Sequence, residues 1–187
     1  QGIITSLAQM MADELNVPYK NVKMVLGDTD LCPWDRGTWG SLTTRAFGPA
    51  MRAAAAEAKA VLLELASEKL KVPVSQLEVT DGVVRDTKNS TNAVTYAQLA
   101  KGKNIEKFLD PKPPVEDYSK FSMVGKPFKH EDALDKVTGH AKFTGDYKLK
   151  GMVFARILRP PSHGAKLKSV DYSAAEKIEG CQIGRAH

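Results

Sequence analysis

The sequence predicts a mixed α/β fold: two amphipathic helices and a hairpin in the first part, short strands in the second. Three observations carry that expectation. Two long stretches place apolar residues at helical spacing, two short alternating runs turn at Asp81-Gly82, and the texture changes after a proline-rich stretch. In the first stretch Ile4, Leu7, Ala8, Met11, Ala12 and Leu15 make a one-sided helix. Ser6 and Gln9 have the spacing of a capping box, and Asn16-Val17-Pro18 ends the helix because a residue before proline avoids the helical region. Residues 22–26 then read as a strand with Val22, Met24 and Leu26 on one face. Residues 27–40 show no periodicity, only turn formers and the chain's two tryptophans. Irregular segments of that length are commonly functional.

The second helix is expected over residues 44–70, with Phe47, Met51, Ala54, Ala58, Leu62 and Leu65 as its apolar stripe. Arg52, Glu57, Lys59 and Glu64 fall mostly off that stripe, and Ala53-Ala54-Ala55-Ala56 permits close approach by a neighbour. Gly48-Pro49 should kink or restart the helix near its beginning. Residues 76–80 and 83–85 read as a hairpin on the Asp81-Gly82 turn, and Thr95 with Gln98 caps a short helix that ends near Gly102. Residues 110–120 hold three prolines and several charges, the composition of a stiff linker. Beyond it, residues 141–144, 152–158 and 167–172 read as strands, with a short helix from Ser173. The expected division is therefore 1–109, a linker at 110–120, and a β-rich part at 121–182.

Composition narrows the function classes. Of 187 residues, 42% are hydrophobic and 26% charged, which suits a globular chain. The net charge of +5 is mild and its lysines alternate with acids, as in Lys126, Lys129, Glu131 and Asp132. That is a solvated face rather than a nucleic-acid groove. No apolar run reaches membrane-spanning length. Cys32 and Cys181 are the only cysteines, so there is no disulfide framework and no ligand set for an iron–sulfur cluster. Asp28, Asp30 and Asp35 lack the spacing of a calcium loop and read as turn formers, and Cys32 as a structural thiol. His130, His140 and His163 show no metal-ligand spacing. No residue is assigned a catalytic or metal-binding role.

Two glycine-marked segments carry the chemistry. Gln1-Gly2-Ile3-Ile4-Thr5 opens the first helix, and Gly37-Thr38-Trp39-Gly40-Ser41-Leu42-Thr43-Thr44 opens the second. A helix start has backbone N–H groups without intrahelical partners and the positive end of the dipole, a combination that suits anions. Two such starts suggest a phosphate-bearing ligand lying across both. From residue types alone, Ser41 and Thr43 fit a plain helix cap equally well, and Trp34 and Trp39 fit either a ligand funnel or loop packing. A non-catalytic domain binding a phosphorylated ligand is the alternative reading.

These motifs resemble the large, molybdopterin-binding polypeptide of the molybdenum hydroxylases, the xanthine dehydrogenase and aldehyde oxidase family. The matching stretches are residues 1–5, Gly27-Asp28-Thr29-Asp30, Pro33-Trp34-Asp35, residues 37–44, Lys136-Val137-Thr138-Gly139, and residues 151–161. The resemblance is strongest to the bacterial isoquinoline 1-oxidoreductase and nicotinate dehydrogenase branch. It implies part of a molybdopterin-binding domain over residues 1–109 and the start of an a/b hammerhead domain over 121–182. It further implies a molybdenum–molybdopterin cofactor in its cytosine dinucleotide form, iron–sulfur clusters on a partner subunit, and an aldehyde or N-heterocycle substrate hydroxylated with water. Gln1, Gly2, Thr5, Thr38, Gly40, Ser41 and Thr43 fall where the family contacts the cofactor. Trp39 stands where relatives often carry a smaller residue. The family's glutamate base has no counterpart here, so the chain reads as an internal piece of a longer frame and inactive alone, with residues 183–187 a non-native tail.

Overall fold

The structure, a computed structural model, describes residues 2–184; Gln1 and residues 185–187 lie outside the described residues. Helix α1 spans Ile3–Leu15 and α2 spans Gly48–Leu70. A π-helical turn at Thr43–Phe47 leads into α2, and Pro49 sits in its first turn, so the expected restart at Gly48-Pro49 is present. Strands β1 (Leu77–Thr80), β2 (Val83–Asp86) and β3 (Ala93–Thr95) form an antiparallel sheet in the order β1-β2-β3. The β1–β2 register pairs Thr80 with Val83 across Asp81-Gly82, and both turn residues have positive φ, as a two-residue hairpin turn requires. Helix α3 (Tyr96–Ala100) starts in the expected capping box of Thr95 and Gln98. Helix α4 (Ala133–Thr138) and strand β3 were not anticipated.

Two apolar clusters hold these elements. Ala66, Val84, Val94 and Leu99 are buried where α2 meets the sheet and α3, with Leu62, Leu70 and Leu77 packed around them. Leu7, Ala8, Met11 and Ala12 are buried on α1, and Ala55 and Ala56 on α2, which packs against it. Small side chains at such a crossing let the helix axes approach closely. Gly48 serves the same contact: a side chain there would meet the Met10 thioether at 2.7 Å. The C-terminal end of α1 is tied to the hairpin by the Gly82 amide, which donates to the Asn16 carbonyl at 2.9 Å.

The inward face of α2 differs from the expected stripe. Ala54 and Ala58 are exposed, while Ala55 and Ala56 are buried. The charged residues placed off the stripe are engaged instead with residues 105–120. Arg52 Nε donates to Glu14 at 2.9 Å and its Nη2 to the Glu116 carbonyl at 2.6 Å; Lys59 pairs with Glu116 at 3.1 Å. Glu57 accepts from the Leu109 amide at 2.6 Å and from Lys112 at 2.7 Å, and Glu64 pairs with Lys107. Residues 110–120, read as a stiff linker, lie along the helices. Their prolines keep them extended while the carboxylates and cations of α2 supply partners.

The return continues along α1. Asp13, 4% exposed, accepts from the Ser122 amide at 2.7 Å, the Ser122 hydroxyl at 3.0 Å, the Met123 amide at 2.9 Å and the Val124 amide at 2.7 Å. Glu14, 1% exposed, accepts from the Glu116 amide at 2.7 Å as well as from Arg52. Gln9, expected in a capping box, instead donates to the Met123 and Lys126 carbonyls at 2.6 and 3.1 Å. Ser6 donates back to the Gly2 carbonyl at 3.2 Å, the ordinary habit of a serine inside a helix.

The chain divides into two compact units, residues 1–141 and residues 142–187. The second has no strand among its described residues, whereas the sequence predicted strands at 141–144, 152–158 and 167–172. Residues 22–26 are likewise extended but unpaired. A strand is stabilised by its ladder, and apolar alternation without a neighbouring edge supplies no partner for the backbone. The side chains of Val153, Phe154, Ile157, Leu158 and Leu167 are accordingly exposed.

Two outcomes are expected. Removing an acceptor that buried amides rely on costs about 1–3 kcal/mol, so Asp13→Ala should lower unfolding stability by that amount and speed protease cleavage within residues 116–131. Unchanged denaturation and unchanged cleavage would remove Asp13 as the anchor of this segment. Glu116 gives a pH signature: burial raises its pKa, but hydrogen bonds from Lys59 and Lys120 outweigh this and hold it below 4.5. A depressed carboxylate pKa stabilises the fold above the unfolded value, and that stabilisation disappears as pH falls through the folded value. The melting-temperature gap between the parent and Glu116→Gln should be constant above about pH 5 and shrink below about pH 4.

Candidate functional site

The loop before α2 is built from side-chain turns. Asp28 Oδ1 accepts from the Asp30 and Leu31 amides at 2.9 and 3.0 Å, and Asp35 Oδ1 accepts from the Gly37 amide. These aspartates shape turns, as the sequence suggested. Cys32 is half-buried, its Sγ donating to the Val25 carbonyl at 3.3 Å. Trp39 folds back so that Nε1 donates to the Arg36 carbonyl. Gly40 and Ser41 then adopt successive left-handed conformations at φ 53° and 59°. For serine that region is strained, by about 1–2 kcal/mol, and strain of this kind concentrates at functional sites.

The candidate residues at this start separate into two roles. Thr38 and Thr43 bond to each other through their hydroxyls at 2.7 Å, and Thr43 is 7% exposed. Ser41 is exposed, and its hydroxyl makes no hydrogen bond among the described residues. No side chain caps the Thr43–Phe47 turn, so its first amides have no side-chain acceptor, and a side chain at Gly40 would meet nothing within 4 Å. The threonine pair braces the loop, while Ser41 and the uncapped turn face outward. Beside them is a cleft of about 510 Å³ lined by Trp34, Arg36, Trp39, Leu42, Thr43 and Phe47.

The start of α1 is arranged differently. Gly2 is left-handed at φ 74°, and a side chain there would meet the His130 imidazole at 2.8 Å. Thr5, 4% exposed, accepts from the Glu131 amide at 3.0 Å. Tyr19 stacks on Phe128 with ring centroids 4.5 Å apart; burial raises its pKa and the Glu131 side chain adds to the rise. Residues 128–131 therefore cover Gly2 and Thr5, and no hydrogen bond among the described residues joins them to the Thr38–Thr43 cluster. The ligand expected across both starts has one open start and one covered by the chain itself. Gln1 lies outside the described residues. In the sequence Glu131 read as part of a solvated face and His130 only as lacking metal-ligand spacing, so their packing on α1 was not expected, although Thr5, Gln9 and Asp13 stand one helical turn apart, a polar ridge that signals a packed polar partner.

Residues 1–155 match the molybdopterin cofactor-binding domain family. The chain belongs to that family. It is similar to a nicotinate dehydrogenase polypeptide of Pseudomonas putida, 35% identical over 96% of this chain and 16% of the relative. It is also similar to the beta chain of isoquinoline 1-oxidoreductase of Brevundimonas diminuta, 26% identical over 96% of this chain and 28% of the relative. A solved structure of the copper- and molybdenum-containing CO dehydrogenase aligns over 52% of this chain and 12% of its own, at 31% identity and a TM-score of 0.43. The chain thus spans between a sixth and a third of the curated relatives named here.

For a molybdopterin-binding domain, the donor set at the start of α2 suits the cofactor's phosphate: an unpaired serine hydroxyl, uncapped amides and an open glycine. The start of α1 fits it only with His130 moved aside. A paired substitution separates the two. Gly2→Ala and Gly40→Ala each place alanine in a left-handed position, at a cost of about 1–2 kcal/mol. Only Gly2→Ala should displace the His130 ring, read as a change in its imidazole proton resonances. Equal shifts in the two variants would show that His130 does not rest on Gly2.

Proposed function

We propose that this domain positions a molybdenum–molybdopterin cofactor within a larger molybdenum hydroxylase that oxidatively hydroxylates aldehydes or N-heterocycles with water. The match over residues 1–155 to a molybdopterin cofactor-binding domain carries this reading. The open donor set at Gly40, Ser41 and the Thr43–Phe47 turn supports it. Ser41 donates to the cofactor's phosphate or pterin, Gly40 admits the close approach, and the Thr38–Thr43 pair fixes the loop. Gln1, Gly2 and Thr5 supply a second contact, reached once the covering residues 128–131 move aside. When bound, the cofactor supplies the redox chemistry while protein groups orient it.

The finer reading follows the same line. The cofactor is the cytosine dinucleotide form, and residues 121–182 begin a hammerhead domain. Electrons leave to iron–sulfur clusters on a partner subunit; Cys32 and Cys181 by themselves form no cluster ligand set within these residues.

Ser41 offers the decisive test because it is exposed, unpartnered and caps nothing. In the full-length protein, Ser41→Ala should lower molybdenum occupancy, by elemental analysis, while leaving the apo-protein's melting temperature unchanged. Adding Thr43→Val should lower both, because it also breaks the bond to Thr38, a loss of about 1 kcal/mol. Full molybdenum occupancy in both variants would remove these hydroxyls from the cofactor site.

A further inference from the structure

Residues 122–131 run along α1 in two parts that are held very differently. In the first, Asp13 accepts from the Ser122, Met123 and Val124 amides at 2.7, 2.9 and 2.7 Å, and Gln9 holds the Met123 carbonyl at 2.6 Å. Past Gly125 the ties thin out. Gln9 reaches the Lys126 carbonyl by a longer, exposed bond of 3.1 Å, and the Glu131 amide donates to the Thr5 hydroxyl at 3.0 Å. Phe128 is half-buried against Tyr19, with ring centroids 4.5 Å apart, while the other residues of 126–131 are exposed. Among the described residues, the hydrogen bonds of residues 132–141 all stay within 130–141, so α4 adds none to α1.

Two features let the second part move by itself. Gly125 is left-handed at φ 81°, and a side chain placed there would meet nothing within 4 Å, so the backbone has room to turn beside the anchored residues. The closed position also leaves a polar group unsatisfied. Tyr19 Oη is buried and meets no partner in hydrogen-bond geometry among the described residues, although Thr5 and Glu131 lie close by. Burying a hydroxyl without a partner is costly, and opening relieves that cost by letting water reach it. Closed, the same residues rest the His130 imidazole on Gly2 and occupy the Thr5 hydroxyl.

We propose that residues 126–131 are a flap, hinged at Gly125 and latched by Phe128 on Tyr19, that covers the start of α1 until a ligand displaces it. This rests on the second cofactor contact assigned above to Gly2 and Thr5. The flap itself is tested with no cofactor present, so its failure and the failure of that assignment are read separately.

Amide hydrogen exchange in the 187-residue chain distinguishes the two parts. Relative to their intrinsic rates, the Glu131 amide should exchange about tenfold or more faster than the Val124 amide, because only Val124 needs the anchored part to open. Phe128→Ala should speed Glu131 exchange about tenfold and leave Val124 unchanged, since the aromatic stack is lost from the flap alone. Tyr19→Phe keeps the ring and removes the unsatisfied hydroxyl, so Glu131 exchange should slow about threefold or more. Equal exchange of Glu131 and Val124 in the parent would overturn the flap. So would equal acceleration of both by Phe128→Ala, no acceleration of Glu131 in that variant, or no slowing of Glu131 in Tyr19→Phe. In the full-length protein, residues 127–132 should exchange faster in the molybdenum-loaded form than in the apo form, read by mass spectrometry. Equal or slower exchange on loading would overturn displacement of the flap by the ligand.

Discussion

Two adjacent carboxylates on α1, Asp13 and Glu14, organise the first compact unit. Both are almost fully buried, and a buried carboxylate is tolerated only when donors surround it. The donors come from a segment more than 100 residues further along: the amides of Glu116, Ser122, Met123 and Val124. Arg52 closes the arrangement by linking Glu14 to the Glu116 carbonyl, with its guanidinium 4.8 Å from the centre of the Phe121 ring. The acids and the returning chain satisfy one another, and neither arrangement is favourable alone.

Much follows from that return. Once residues 116–124 are fixed along α1, Gln9 holds the Met123 and Lys126 carbonyls, and the chain reaches the start of α1 at Thr5 and Gly2. On the other side, the charged face of α2 takes up residues 107–116 through Glu64, Glu57 and Lys59. Exposed ion pairs are individually weak, so the pairs to Lys107 and Lys112 guide the path more than they stabilise it. The buried acids of α1 are the stronger constraint.

The same return makes the two helix starts unequal. Each has a left-handed glycine and nearby hydroxyls, so they look alike as sequence. In the fold, Gly2 and Thr5 are covered by His130 and Glu131, whereas Gly40 and Ser41 face open space. The Thr38–Thr43 bond braces the open start, whereas His130 and Glu131 close over the other.

Local signals were legible wherever the physics was local. The α1 periodicity, the Asp81-Gly82 hairpin, the Thr95–Gln98 capping box and the restart at Pro49 depend on residues a few positions apart, and the structure contains each of them. The glycine and hydroxyl motifs pointed to the molybdopterin-binding family through their order along the chain. What the sequence could not reveal depends on partners distant in sequence. Whether Arg52 and Lys59 meet water or Glu14 and Glu116 turns on where residues 110–124 travel. Whether residues 152–158 form a strand turns on an edge to pair with, and they pair with none among the described residues. By itself the sequence determined the first three α-helices, the hairpin and the family, because backbone propensity and motif order are properties of neighbouring residues. Only the tertiary structure decided which helix start is open and which is covered, because burial and hydrogen-bond satisfaction are settled between segments a hundred residues apart.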